Sequence, residues 1–379
     1  MKKVLAVIVS VFSLMCLLIS CSNDGSVDEA FNCTITFDGN GATAGEMSAQ
    51  TVGIGKEARL SENTYERTKY LFTGWNTEQD GSGTAYTDGQ KISLTGNITL
   101  FAQWEVIPII LDSSMGGWTD GNVYVLNSNV SIFGQIIVSG SVTLILNDGY
   151  ALSALNGIRV DEGNSLTIEA SGEGTGILEA IGQAGNAGIG GYFNCNSGTI
   201  IINGGTVNAN AETSGAGIGG GLEGGSGGTI IINGGTVNAI ADQCAGIGGG
   251  HQGSGGTIII NGGTVEASSK EGGAGIGGGS HGSGGTIIIN GGIINASAKG
   301  TSGGAGIGGG NEGSGGTITI NGGIVDASSE YSAGIGGGHG GADDGTLTLG
   351  KGVSLEVSTD NANWSDYDGT TRQRYMRTK

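Results

Sequence analysis

Asn208, Asn238, Glu266, Asn295 and Asp326 recur at intervals of 30, 28, 29 and 31 residues. Amides and carboxylates repeated in this way would present a line of hydrogen-bonding groups to sugar hydroxyls or to a cation. If each interval is one turn of a stacked chain, Glu266 and Asp326 stand two turns apart, roughly 10 Å. An inverting glycosidase separates its two carboxyls by about that distance. Their neighbours are asparagine and alanine, with no arginine or aromatic platform close in sequence. Turns of near-constant length also build no lobes around a pocket. The five residues are therefore expected to form an outward polar stripe, facing a ligand at most, and no catalytic residue is assigned.

Other motifs carry less. The string Gly215-Ala216-Gly217-Ile218-Gly219-Gly220 satisfies GxGxxG, as do those starting at Gly273 and Gly304. A dinucleotide fingerprint needs a strand before it, a helix after it and an acid about 20 residues on. Recurrence in successive units with no helical segment makes these structural turns. No Gly-Lys-Ser/Thr follows, so the phosphate loop of NTPases is absent. The loops LEGGSGG, HQGSGG, SHGSGG and NEGSGG lack the aspartate that calcium-binding nonapeptide arrays require. His251 and His281 fall in loops of adjacent units and are expected to approach, but no third ligand accompanies them; no metal or other cofactor is expected. The net charge of −19 makes nucleic acid an unsuitable partner.

The elements that hold these residues are legible from the period. Thr199, Thr229, Thr257, Thr286, Thr317 and Thr346 each open a unit of about 29 residues. In the first unit Ile200 and Ile202 alternate with Thr199, Ile201 and Asn203. A Gly204–Gly205 corner follows, and then Val207, Ala209 and Ala211 alternate with Asn208 and Asn210. Period-two alternation predicts two short strands. A third, glycine-dense strand lies near Ile218. With 83 glycines in 379 residues, helices are excluded, since glycine costs about 1 kcal/mol against alanine in a helix interior. One unit cannot bury its own isoleucines; stacked units can. The predicted inward columns run through Ile200, Ile202, Val207 and Ile218 and their counterparts. The column Ile201, Ile231, Ile259, Ile288, Thr319 and Thr348 is expected to face outward, either covered by the chain itself or docking a partner or second copy. Asn203, Asn233, Asn261, Asn290 and Asn321 recur at the corner, where asparagine tolerates the left-handed region and can form an amide ladder.

The repeats resemble the coils of a right-handed parallel β-helix of the pectate-lyase-like kind, whose corners often carry such a ladder. The resemblance spans residues 106–358 and is clearest over 187–350. It implies an all-β solenoid, and it is compatible with polysaccharide lyases and hydrolases as well as with non-enzymes. Residues 109–186 read as irregular early coils with an N-terminal cap. Val353, Leu355 and Val357 suggest one last strand, and 359–379 reads as a C-terminal cap or tail, polar and basic.

Residues 32–105 differ in composition, with more aromatics and fewer glycines. Thr34–Phe37, Lys91–Leu94 and Ile98–Trp104 alternate as strands. The stretches TFDGNGA, GWNTEQDGSGTAY and LFAQW resemble the Listeria–Bacteroides repeat, also called the internalin B-type repeat. That resemblance implies a small β-grasp-like module of bacterial surface proteins, a spacer or weak adhesive element without enzyme activity. Trp75 and Trp104 are expected in or at the edge of its core. Pro108, the single proline, marks the junction.

At the N-terminus Lys2 and Lys3 precede an apolar run from Val4 to Ile19. Residues 1–20 read as an export signal rather than a membrane span. Leu18-Ile19-Ser20-Cys21 resembles the lipobox of bacterial lipoproteins, which implies cleavage before Cys21, lipid on its sulfur and anchoring to a membrane, with 21–31 as a tether. Cys16 leaves with the signal. Cys33, Cys195 and Cys244 lack a disulfide spacing and are expected to be unpaired. The sequence thus points to an exported, lipid-anchored envelope protein, with no enzyme activity, that adheres, displays or binds a glycan or surface protein. A carbohydrate-active enzyme and a ligand-free structural spacer are the alternatives.

Overall fold

The computed structural model describes residues 31–341, 343–369 and 373–379. The signal segment, Cys21 and nearly all of the tether lie outside the described residues. The chain divides into two compact units between Glu105 and Val106, and no helix occurs among the described residues.

The first unit is a small mixed sheet. Strand β1 (Asn32–Asp38) pairs in parallel with β7 (Ile98–Val106) and antiparallel with β2 (Gln50–Gly53). Strands β4 (Tyr70–Asn76) and β5 (Ala85–Tyr86) complete it. Strands β3 (Glu57–Arg59) and β6 (Lys91–Ser93) form a separate ribbon. Trp75, 1% exposed, is the centre of the core. Phe37 and Phe72 lie 4.9 and 5.0 Å from it, ring to ring. Trp104 is half-buried against Phe72 and donates its Nε1–H to the Gly39 carbonyl at 3.0 Å. Both tryptophans are held in packing.

The second unit is a parallel β-solenoid. Each full coil contributes one strand to each of three sheets. The first sheet stacks ten strands from Ile109–Ile110 to Thr346–Leu349. The third stacks nine, from Gly117–Thr119 to Ile335–Gly336. The second begins at Val130–Ile132 and is parallel through Ile324–Ser329. The register places Ile200 against Ile230, Val207 against Val237 and Ile218 against Ile247, and it continues so from coil to coil. These inward residues are fully buried, each contributing about 1.5–3 kcal/mol by burial. Ile201, Ile231, Ile259 and Ile288 face outward and are half-buried.

The glycine-dense third strand has a steric cause. Gly219 adopts φ +135°, and a Cβ there would stand 1.9 Å from the Gly248 carbonyl oxygen of the next coil. Side chains are excluded where the backbones of successive coils approach this closely. The corner asparagines form a continuous chain of amide bonds. Asn233, Asn261, Asn290 and Asn321 each donate to the preceding asparagine at 2.7–2.8 Å, and Asn203 donates to Glu169 at 2.6 Å.

The irregular early coils form strands such as Ser141–Leu146 and Ser165–Ala170. Trp118, fully buried and stacked on Tyr124 at 5.1 Å, lies in the first coils. At the other end Leu355–Ser358 forms the expected last strand, but it does not stack on Ile324–Ser329. Tyr375–Thr378 folds back between them and pairs antiparallel with both. Without the glycine corner and the Thr-Ile pattern, residues 351–379 cannot close another coil. They instead satisfy the open edge of the second sheet with a reversed strand.

Candidate functional site

The polar stripe is set by strand register. Asn208, Asn238, Glu266, Asn295 and Asp326 are successive partners on the outward face of the second sheet. Asn238 donates its Nδ2–H to Asn208 Oδ1 at 2.8 Å. Two residues along each strand, Ile240, Ser268, Ser297 and Ser328 form a parallel column. Together these columns floor a groove of about 490 Å³ that Lys299, Asn361 and Tyr375 also line. The expectation that near-constant coils leave no pocket is corrected here. The wall comes from the folded-back C-terminal segment, not from a coil insertion. Four of the five stripe residues line the groove, while Asn208 lies outside it.

Among the described residues the side chains of Glu266, Asp326 and Lys299 make no hydrogen bond or ion pair. Arg377 is the register partner of Asp326, but its guanidinium is committed elsewhere. It bonds Glu356 at 3.0 Å and lies 3.8 Å above the Trp364 ring. The groove therefore offers unpaired carboxylate acceptors, amides, hydroxyls and one ammonium.

The stripe also continues upstream. Glu179 is the register partner of Asn208, and Ser153 is that of Glu179, its hydroxyl donating to Glu179 Oε2 at 3.1 Å. Glu179 stands 29 residues before Asn208, so the period could have found it. Ser153 is 26 residues before Glu179, off the period. Tyr375 and Asn361 carry no periodic signal at all.

The remaining candidates resolve as follows. The His251 and His281 rings approach to 5.5 Å, and His281 Nε2 lies 3.5 Å from Glu312. Burial, then the neighbouring His281, holds the His251 imidazole below its ordinary pKa, with Glu223 opposing. No group of three or more His, Cys, Asp or Glu positioned for a metal occurs among the described residues. A second depression of about 320 Å³ is lined by Asp161, Glu162, Cys195, Asn196 and Glu223. Burial and then Asp161 push the Cys195 thiol up, away from the reactive thiolate. Cys33, Cys195 and Cys244 are free. Cys244 is buried, its thiol donating to the Ser214 carbonyl at 2.8 Å, and burial pushes its pKa up to about 12. The GxGxxG strings lie on two-residue strands stacked in the third sheet and lead into no helix.

Comparison with known proteins agrees with this division. Residues 34–103 match the Listeria–Bacteroides repeat domain. Residues 200–222, 230–251, 258–280 and 318–339 match the β-helix repeat. A protein of Evansella cellulosilytica named "Putative Gly-rich membrane protein" is 39% identical over 75 residues, which is 19% of this chain and 9% of that protein. A "Putative membrane protein" of the same organism is 34% identical over 76 residues, 19% of this chain and 11% of that one. The chain thus spans about a tenth of the length of these relatives. No solved structure matches. The β-helix fold serves enzymes and non-enzymes alike, so the fold alone does not decide activity. By sequence match and fold together, the chain joins a Listeria–Bacteroides repeat domain to a solenoid of β-helix repeats.

Proposed function

We propose that this is a cell-envelope surface protein, anchored by lipid on Cys21, whose solenoid retains a glycan in the groove of the second sheet without turning it over. The observation that carries the reading is the groove itself. Its columns of amides, carboxylates and hydroxyls recur once per coil on a rigid floor, and several of them are unpaired. Such an array suits the hydroxyls of a sugar chain, which repeat along the polymer. The names of the two relatives and the surface-protein setting of the repeat domain support the envelope location.

The competing reading, a glycoside hydrolase, rests on Glu266 and Asp326 at two-coil separation. Both sit exposed at equivalent positions of one column, so burial does not distinguish an acid from a base. Incubation with a panel of polysaccharides decides between these readings. Retention on at least one polymer with no new reducing ends or unsaturated products is expected. Product formation that Glu266→Gln abolishes would replace binding with catalysis, and no retention on any polymer would leave a spacer. Anchoring is tested separately. A palmitate analogue should label the protein, and Cys21→Ala should release it from the membrane fraction; unchanged attachment refutes the anchor.

A further inference from the structure

The geometry points to a particular ligand shape and class: we infer that the groove takes a linear glycan bearing free amino groups, laid along the solenoid axis, with one chain end stopped by the C-terminal segment. This inference rests on the glycan-binding reading above and refines it.

The first observation is continuity. Ser131, Ser153, Glu179, Asn208, Asn238, Glu266, Asn295 and Asp326 are consecutive register partners. Seven steps of about 4.8 Å give a polar line of roughly 34 Å. A pyranose unit of an extended chain is about as long as one coil is high, so such a chain meets one polar group per sugar. A branched or globular ligand would use only part of the line.

The second observation is that the line has one closed end. Downstream of Asp326 the next strand is Tyr375–Thr378, running the other way. Tyr375 pairs opposite Ser328, and with Asn361 it lines the groove at that end. The wall is braced, because Arg377 on the same strand is held by Glu356 and Trp364. In the upstream direction the stripe continues past the groove through Asn208, Glu179 and Ser153.

The third observation is charge. The groove holds two unpaired carboxylates on alternate coils and one lysine, on a chain of net charge −19. Uronate or phosphate polymers meet repulsion there, whereas ammonium groups on alternate sugars meet Glu266 and Asp326.

The test uses purified chain with deacetylated chito-oligosaccharides and cello-oligosaccharides from dimer to decamer, read by calorimetry. Affinity for the amino series should climb with length up to about seven or eight units and then level, following the seven coil steps. It should exceed that for the neutral series and fall with added salt. The double variant Glu266→Gln, Asp326→Asn should bring the two series together. Tyr375→Ala should weaken binding by roughly two- to tenfold, as loss of one aromatic contact does. Because Tyr375 also belongs to the capping strand, Asn361→Gly serves as a second wall variant. Asn361 already has φ +59°, so glycine keeps that turn. A bulky label on one chain end should cost affinity while the same label on the other end does not. Affinity that is flat beyond the dimer, equal for both labelled ends, or unchanged in both wall variants overturns the axial, blind-ended placement. Equal affinity for the two series overturns the amino preference while leaving glycan binding intact. No retention of any glycan overturns the function and this refinement with it.

Discussion

Ile247 and Ile259 are the same residue type, twelve positions apart in one chain, on opposite sides of the solenoid wall. Ile247 is fully buried between Ile218 and Ile276. Ile259 is half-buried in the outward column between Ile231 and Ile288. Truncation of Ile247 to alanine leaves a void bounded by two neighbouring coils, and rigid sheets on three sides limit its collapse. The cost should be about 2–5 kcal/mol. The same change at Ile259 removes methyl groups that water already reaches in part, at a cost of about 1 kcal/mol. Urea unfolding followed by far-ultraviolet circular dichroism gives the comparison, with pulse proteolysis as a second readout that does not depend on two-state behaviour. Coils couple to their neighbours, so the Ile247→Ala transition should also broaden or split. Equal midpoint shifts for the two variants, or a larger shift for Ile259→Ala, would refute the assignment of inside and outside. If Ile259→Ala is instead severe and its cost depends on protein concentration, the outward isoleucine column is covered by a second copy.

The corner ladder, the histidine pair and the buried thiol give three more expectations. Asn261 donates to Asn233 and accepts from Asn290; Asn261→Ala should cost about 1–3 kcal/mol in urea unfolding, and Asn261→Asp at neutral pH should cost more, because a carboxylate cannot donate to Asn233 Oδ1. Burial and His281 hold the His251 pKa below its ordinary 6.5, so the unfolded chain binds the proton first as pH falls. Stability from this site is full above about pH 6.5 and declines as pH drops through the folded value; a pH series of urea midpoints should show the decline, and His251→Asn should flatten it. With its thiol pushed up to about 12, Cys244 should resist iodoacetamide in the folded protein and react on unfolding, as peptide mass spectrometry would reveal; rapid labelling of the native chain would contradict its burial.

The solenoid was legible because stacking forces every coil to repeat the same backbone path. Inward positions accept little besides isoleucine, valine, leucine and alanine, and glycine recurs wherever a Cβ would strike the next coil, as at Gly219. The corner ladder was legible for the same reason. The coil register of residues 109–186 was not, since coils such as the one from Ser153 to Glu179 depart from the 29-residue step and no threonine marks their start. The groove wall was hidden for a different reason. Tyr375 reaches Ser328 by a reversal of the chain, and a contact made once, across a segment without periodicity, leaves no mark in spacing.

The outward face carries information of another kind, because the repeat supplies its own control. Inside, successive coils substitute one apolar residue for another. Outside, the column Ser131, Ser153, Glu179, Asn208, Asn238, Glu266, Asn295, Asp326 changes residue at most steps, always among serine, asparagine and the two acids. Basic residues are scarce throughout the solenoid, with Arg159, Lys270 and Lys299 the three between residues 106 and 350, so the informative feature of the column is that Glu266 and Asp326 stand in it unpaired. The first basic residue in register is Arg377, on the strand that ends the column, and its charge is turned to Glu356 rather than to Asp326. A line of acceptors with one ammonium beside it, Lys299, that pairs with neither carboxylate, and closed by a strand whose own cation is already engaged, is the pattern expected of a surface that leaves its carboxylates for a ligand.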